Sequence, residues 1–326
     1  MTDSVINTWA EGDEVQALVV ARRKRLQPFR NKPGQYLSLT LSDASGQIEG
    51  RVWEEGETVA ASFEEGDVIR VRGKIERFQD QLQLRVSSIE RPSPEEIAPD
   101  QFLPPCRRDI GPLEEDLRAT IESIESPYLR RLVDSFYDDA EFMERFRRAP
   151  AAVRLHHAYV GGLLEHTVEV LSLLEVLCQH YPDIDRDLVM TGALLHDIGK
   201  LEELASTTTF DYTDLGRLIG HIAISDQMVC DAMDAIEGFP EHTRMMVRHL
   251  ILSHHGSREM GSPEPPKTLE AMALHQVENA DAQVNRVWRT IAKHRDGVAK
   301  WTDWDRLLER HIYLGPVEPP EPDPDE

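Results

Sequence analysis

ALLHDIGK, residues 193 to 200, decides the fold of most of this chain. Alanine and leucines lead into adjacent His196 and Asp197, then Gly199 and Lys200. An imidazole beside a carboxylate at the end of an apolar segment is costly unless partners satisfy both groups. Candidate partners recur downstream and upstream: His166 in GGLLEHTVEVL, His221 in GRLIGHIAIS, His254 and His255 in ILSHHG, and Asp281 in VENADAQVN. Around each of them apolar residues repeat at i, i+3, i+4 and i+7, the pattern of a helix with one buried face. Each polar group is therefore projected inward from a different helix.

A single histidine on an apolar face is more often a hydrogen-bonded core residue than a ligand. Seven His and Asp residues in the order H…HD…H…HH…D form a set that a metal site explains better. Neutral imidazole and carboxylate suit Mn, Fe, Ni, Co or Zn, and a helical-bundle core is a place to gather them. The set contains no thiolate, which argues against a closed structural zinc site and for an open catalytic one.

Composition bounds the rest. The chain has 326 residues, room for two domains, and only three scattered cysteines, Cys106, Cys178 and Cys230, with no CxxC spacing. That usage fits a reducing cytosol, and the polar, acidic N-terminus carries no signal-peptide core, so a cytoplasmic location is expected. No apolar run reaches the roughly 18 residues of a membrane span, so no membrane partner is expected. The net charge of −23 is unevenly spread: residues 1–92 hold 13 Lys+Arg against 15 Asp+Glu, the remainder 23 against 44. The first segment is thus nearly neutral, and the acidity belongs to the second.

That first segment, residues 13–91, reads as β-structure. DEVQALVVARRKRL, QYLSLTLSD, IEGRVWE, DVIRVRGKIERFQ and QLQLRVSSIE alternate apolar and polar residues, separated by turn signals such as SDASGQ and EEGD. Five strands with an interruption near EGETVAASFEEG suit an OB-type barrel. Residues 92–112 contain six prolines and read as a connection without a regular helix or strand. From 113 to 314 the periodicity is helical, with no strand-like block. The proline-rich acidic tail, 315–326, has the composition of a disordered segment.

Here a resemblance becomes visible. H…HD…D at 166, 196, 197 and 281 is similar to the metal signature of the HD phosphohydrolase superfamily, whose fold is all-helical. More closely, HHAYVGGLLEHT, GALLHDIGK, YTDLGRLIGHI, LILSHHG and GSPEPPKTLEAMALHQVENADAQ, behind an OB-like segment, resemble the YhaM-type 3′–5′ exoribonucleases over residues 13–314. The segment SHHGSREMGSPEPPKT lacks the GYP turn that marks the HD-GYP cyclic-dinucleotide phosphodiesterases. The resemblance implies an N-terminal OB-fold β-barrel followed by a helical HD catalytic domain that releases 5′-mononucleotides from single-stranded RNA. It also implies manganese as the divalent metal.

On that reading Asp197 bridges two ions, since a carboxylate spans two cations where an imidazole cannot. His166, His196 and Asp281 complete one site, and His221, His254 and His255 the other. Which of His254 and His255 ligates stays open at this point. Lys200 is either a substrate-phosphate contact or a solvated cation behind a helix C-cap glycine, Gly199; the resemblance favours the first. Gly192–Lys200 is not a phosphate-binding P-loop, because six residues separate its glycines and Leu201 replaces the Ser/Thr. His156 and His157, about ten residues before His166, either line the substrate entrance or pack beside it.

If the second domain cleaves phosphodiesters, the first should hold the strand through basic and aromatic side chains. Arg22, Arg23, Lys24, Arg25, Arg30 and Lys32, with Phe29 among them, form the densest basic run; Tyr36, Trp53, Arg72, Lys74, Arg77 and Phe78 are further candidates. Trp301 and Trp304 are expected in core packing. Single-stranded DNA is a second candidate substrate, and a homo-oligomer is compatible with the sequence. Two alternatives stand beside the exonuclease. One is an HD nucleotidase or cyclic-nucleotide phosphodiesterase, which would need no strand-binding barrel. The other is a binding module with an inactive helical domain, which an intact ligand set argues against.

Overall fold

A computed structural model of the chain describes residues 5–29, 31, 33–79, 81–97, 101–106, 108–153, 157–206, 208–293, 299–306 and 308–316. Arg30, Lys32 and His156, and the tail beyond residue 316, lie outside these described residues. Five strands, β1 (Glu14–Pro28), β2 (Gln35–Ser42), β3 (Gln47–Val52), β4 (Val68–Phe78) and β5 (Gln81–Glu90), close into a barrel in the order β1-β2-β3-β5-β4. All neighbours are antiparallel except β3 and β5. Alternation supplies the core: Val15, Ala17, Val19, Leu37, Leu39, Leu41, Ile69, Val71, Ile75 and Leu84 face inward and are buried. The short helix α1 (Gly56–Ala60) packs on β2 and β1, and Ile6 and Trp9 join the same core.

A β-bulge between Ala21 and Arg23 resets the side-chain alternation of β1. Lys24 then pairs with buried Leu39, an inward position at the barrel's end. Its Nζ donates to the Ala60 carbonyl at 3.0 Å and to the Phe63 carbonyl, and pairs with Glu64 at 2.8 Å. Lys24, expected on the nucleic-acid face, is thus half-buried and engaged by the segment between α1 and β4. Arg23 and Arg25 stay outward and exposed, and Arg22 Nε donates to Ser42 Oγ at 2.8 Å.

The second half is built from α2 (Ile110–Glu122), α3 (Pro127–Tyr137), α4 (Ala140–Phe146), α5 (Gly162–His180), α6 (Arg186–Leu195), α7 (Lys200–Glu203), α8 (Asp214–Leu218), α9 (His221–Asp234), α10 (Glu241–Ser253) and α11 (Leu269–Lys293). One core joins residues of α2, α3, α5, α6, α9, α10 and α11. The proline-rich connection ends earlier than its composition suggests. Pro112 lies in the first turn of α2, where a residue without an N–H breaks no helical hydrogen bond.

Two further expectations are corrected. A small hairpin, β6 (Leu204–Ser206) with β7 (Phe210–Tyr212), interrupts the helices; three-residue strands are too short to print an alternation. Trp301 and Trp304 are 56% and 55% exposed and lie on a C-terminal turn tied by Trp301–Tyr313 and Asp305–Arg310 bridges, not in the core. No helix among the described residues is long and apolar enough to cross a membrane.

Candidate metal centre

The HD pair sits where α6 ends. Residues Leu188 to Leu195 are all buried, so the helix delivers His196 and Asp197 into the middle of the domain. Gly199 then admits α9: a Cβ there would lie 2.3 Å from the His221 carbonyl oxygen and 2.7 Å from Ser225 N. Its φ of −62° is ordinary helical backbone, so the glycine serves close approach and is not a left-handed cap. Ser225 Oγ accepts the Gly199 N–H at 2.8 Å and locks the contact.

Asp197 is the centre of the arrangement. Its Oδ2 lies 3.4 Å from His196 Nε2 and 3.6 Å from His166 Nε2. Its Oδ1 lies 3.4 Å from His221 Nε2 and 3.7 Å from His254 Nε2. One oxygen thus faces each histidine pair. Ligand atoms of His166, His196 and Asp197 fall within 4.8 Å of one another, as do those of His221, His254 and His255.

The orientation of each ring is set from behind. His196 Nδ1 donates to the Ala193 carbonyl at 2.8 Å, His254 Nδ1 to Ile251 at 2.7 Å and His255 Nδ1 to Met260 at 3.0 Å. His166 Nδ1 donates to Asp281 Oδ2 at 2.6 Å, and His221 Nδ1 to Glu203 Oε1 at 3.0 Å. With every Nδ1 carrying the proton, every Nε2 presents a lone pair. This is the outer support that metal-binding imidazoles need.

Whether these residues fit a cation is answered by their unsatisfied atoms. Nε2 of His196, His221 and His254 and Oδ1 of Asp197 are buried without a hydrogen-bond partner. Each such atom costs about 1–3 kcal/mol if left unsatisfied. These lone pairs and the carboxylate oxygen have no donor to share, and divalent cations held among them would answer them. Charge agrees with this. Burial first, then the neighbouring imidazoles, holds His254 well below its ordinary value, and burial pushes His166 and His255 down to about 4. These rings stay neutral and able to ligate at neutral pH. Burial alone would raise Asp197, but Lys200, His196 and His221 outweigh it and keep the carboxylate ionised.

Lys200 is not a free ammonium reaching for substrate. It is buried, and its Nζ lies 2.5 Å from Asp197 Oδ2. His157, a candidate for the substrate entrance, is fully buried behind the centre. Its ring Nε2 lies 3.0 Å from Asp281 Oδ2 and its Nδ1 2.8 Å from the Tyr159 hydroxyl, which donates in turn to Glu165. Burial opposes the charged ring, yet Asp281 and Glu165 raise its pKa above the ordinary value. Asp281 therefore accepts from two histidines through one oxygen. It groups with His157 and His166, with His166 linking it to Asp197.

Several residues of the centre carry no motif. Glu203 supports His221, and Ser225 pins the HD turn. Glu278 and Asn285 are buried on the same face of α11 as Asp281. Burial first and then Asp197 push Glu278 up to about 7. Carboxylates spaced i, i+3 on the apolar side of a helix were the one available signal for Glu278.

Comparison with known proteins matches two families: the HD domain over residues 163–283 and the OB-fold nucleic acid binding domain over residues 14–92. The 3′-5′ exoribonuclease YhaM of Bacillus subtilis (strain 168) is 32% identical over 310 residues, 94% of this chain and 96% of that protein. The protein of the same name from Oceanobacillus iheyensis is 33% identical over 281 residues, 86% and 87% of the two chains. Among solved structures, the second OB-fold domain of replication protein A from Methanococcus maripaludis matches 28% of this chain and 96% of its own, at 20% identity and a TM-score of 0.25.

Proposed function

The chain belongs to the YhaM family of 3′-5′ exoribonucleases, and from that premise we propose that it is a metal-dependent hydrolase removing 5′-mononucleotides from the 3′ end of single-stranded RNA, with two manganese ions as its cofactor. The observation that carries this reading is Asp197, one oxygen turned to each histidine pair. Divalent cations held there would polarise a phosphoryl oxygen and lower the pKa of an attacking water.

The chain's own residues do the rest. His166 and His196 hold one side of Asp197, and His221 and His254 the other, with His255 beside His254 at a ring separation of 4.3 Å. Lys200 keeps Asp197 anionic and fixed, so a carboxylate that would serve both ions neither protonates nor rotates. Asp281, expected among the ligands of the first ion, instead accepts from His157 and His166 through Oδ2 and fixes the His166 tautomer, while Tyr159 and Glu165 back the other nitrogen of His157. Glu278, with its pKa near neutrality, is placed to take or return a proton beside the centre.

Strand binding falls to the barrel, and its register suggests where. Lys74 pairs with Arg85, Arg85 with Arg51, Arg51 with Ser38, and Ser38 with Arg25. Paired residues share a face, so these cations form one outward row across the strands. At a strand spacing of about 4.8 Å the row runs roughly 19 Å. One pleat along lie Trp53 and Tyr36, with ring centroids 4.8 Å apart, and Phe29 stands 5.7 Å from Tyr36. Phosphates on the cations and bases on the rings would hold single-stranded RNA without reading its sequence. The Arg85 pair with Glu76 is exposed and readily exchanged for phosphate, whereas Arg51 is half-buried, held by Glu49 and by Ser38 Oγ.

Incubation of manganese-supplemented protein with 5′-labelled single-stranded RNA tests this. A ladder shortening from the 3′ end, with mononucleotides released, is expected. Intact RNA alongside hydrolysis of free or cyclic nucleotides would replace the reading with a small-substrate phosphodiesterase. Single-stranded DNA belongs in the same assay as a second candidate substrate.

A further inference from the structure

We propose that Glu203 is the positioning residue of the second cation site, the outer carboxylate that makes His221 a ligand. The inference rests on the two-ion reading above. Of the rings on that side, His254 and His255 donate Nδ1–H to main-chain carbonyls, which no substitution removes. His221 depends on a side chain. Glu203 Oε1 accepts the His221 Nδ1–H at 3.0 Å and the His221 backbone N–H, also at 3.0 Å. One oxygen thus fixes both the ring and the helix start that carries it.

The surroundings hold Glu203 in turn. It is 8% exposed and closes α7, one helical turn after Lys200. Its carbonyl accepts the Thr213 N–H at 2.9 Å, and α8 presses so closely that a Cβ on Gly216 would lie 2.3 Å from that carbonyl oxygen and 2.8 Å from Glu203 Cγ. The β6–β7 hairpin and α8 brace the carboxylate from behind. The short helix that begins at Lys200, directly after the turn bearing Asp197, therefore also sets the geometry of a ligand on the opposite side. A carboxylate on Nδ1 makes Nε2 a stronger donor to a cation, and losing such a partner costs about 10–100-fold in metal affinity.

The test is equilibrium dialysis of the metal-stripped full-length protein against manganese, with bound metal counted per chain. Wild type, Glu203→Ala and Glu203→Gln are compared, and thermal melts monitor folding. Wild type should take two ions. Glu203→Ala should keep one tight ion and bind the second about 10–100-fold more weakly. Glu203→Gln, which keeps an acceptor oxygen but not the charge, should fall between them and serves if the alanine variant does not fold. Two ions with unchanged affinities in a folded variant would overturn the role of Glu203. A single ion in wild type at saturating manganese would remove the two-ion reading and this proposal with it, and the wild-type curve alone reveals that case.

Discussion

The Lys200 ammonium lies 2.5 Å from Oδ2 of Asp197, both side chains buried, with the histidine pairs arrayed around the same carboxylate. Removing one partner of a buried pair typically costs about 3–5 kcal/mol, because the remaining charge is left uncompensated. A cation at the centre would supply part of the missing charge. Lys200→Met should therefore destabilise the chelator-treated protein strongly and the manganese-loaded protein much less. Thermal melts in both conditions check this; equal losses would mean that Lys200 does not share Asp197 with a metal.

The metal-free protein should lose stability as pH falls from about 6.5 toward 4. His166 and His255, at about 4, and His254, held well below its ordinary value by burial and the neighbouring imidazoles, have folded values below their unfolded 6.5. Between those limits the unfolded chain binds protons that the folded one refuses, so stability rises with pH and is lost on acidification. His157 and His196 are raised and act oppositely, losing their contribution as pH rises above 6.5. Glu278 and Glu169, pushed up to about 7, also act oppositely, keeping protons that the unfolded chain loses above its ordinary carboxyl range. The three depressed imidazoles outnumber these two carboxyls and set the direction. Melts with chelator at pH 7 and pH 5 measure it, and an unchanged or higher melting temperature at pH 5 would contradict the assignment.

His157 sits at φ +47°, a left-handed conformation costly for a residue with a Cβ. Substitution by Ala or Gly should reduce RNA cleavage alike, because both lose the ring that holds Asp281. The Gly variant should nonetheless be about 1 kcal/mol more stable than the Ala variant, since glycine accepts the backbone freely. Urea unfolding compares them; a more stable Ala variant would show that the strain is not carried at this position.

On the barrel, Lys74→Gln, Arg85→Gln and Arg51→Gln should each weaken binding of long single-stranded RNA. Each should also lower the steepness of its salt dependence by roughly one phosphate contact. Lys24→Gln should instead lower the melting temperature while leaving RNA affinity nearly unchanged. Filter binding over a salt series separates the two; an RNA defect confined to Lys24 would reverse the assignment of faces.

How much of this was legible in the sequence follows from what periodicity can report. His166, His196, Asp197, His221 and His254 were readable because each interrupts an apolar helical face. The five strands were readable because their alternation is long. The cation row was not, since residues 25, 51, 74 and 85 are remote in sequence and meet only through strand pairing. The dense run at 22–32 is what local composition displays, and one bulge in β1 turns its Lys24 inward. Glu203 resembles any acidic residue at a short helix end until His221 folds over it. His157 looked like an entrance residue because nothing local announces that its loop is covered by α11 through Asn285 and Asp281.

On the proposed function Asp197 would join two cations, one per histidine pair. Crystals grown with manganese, measured for anomalous scattering near the manganese absorption edge, test it most directly. Two peaks are expected, one beside His166 and His196 and the other beside His221 and His254, with an oxygen of Asp197 on each. A single peak, or ions bound without Asp197 between them, would contradict it.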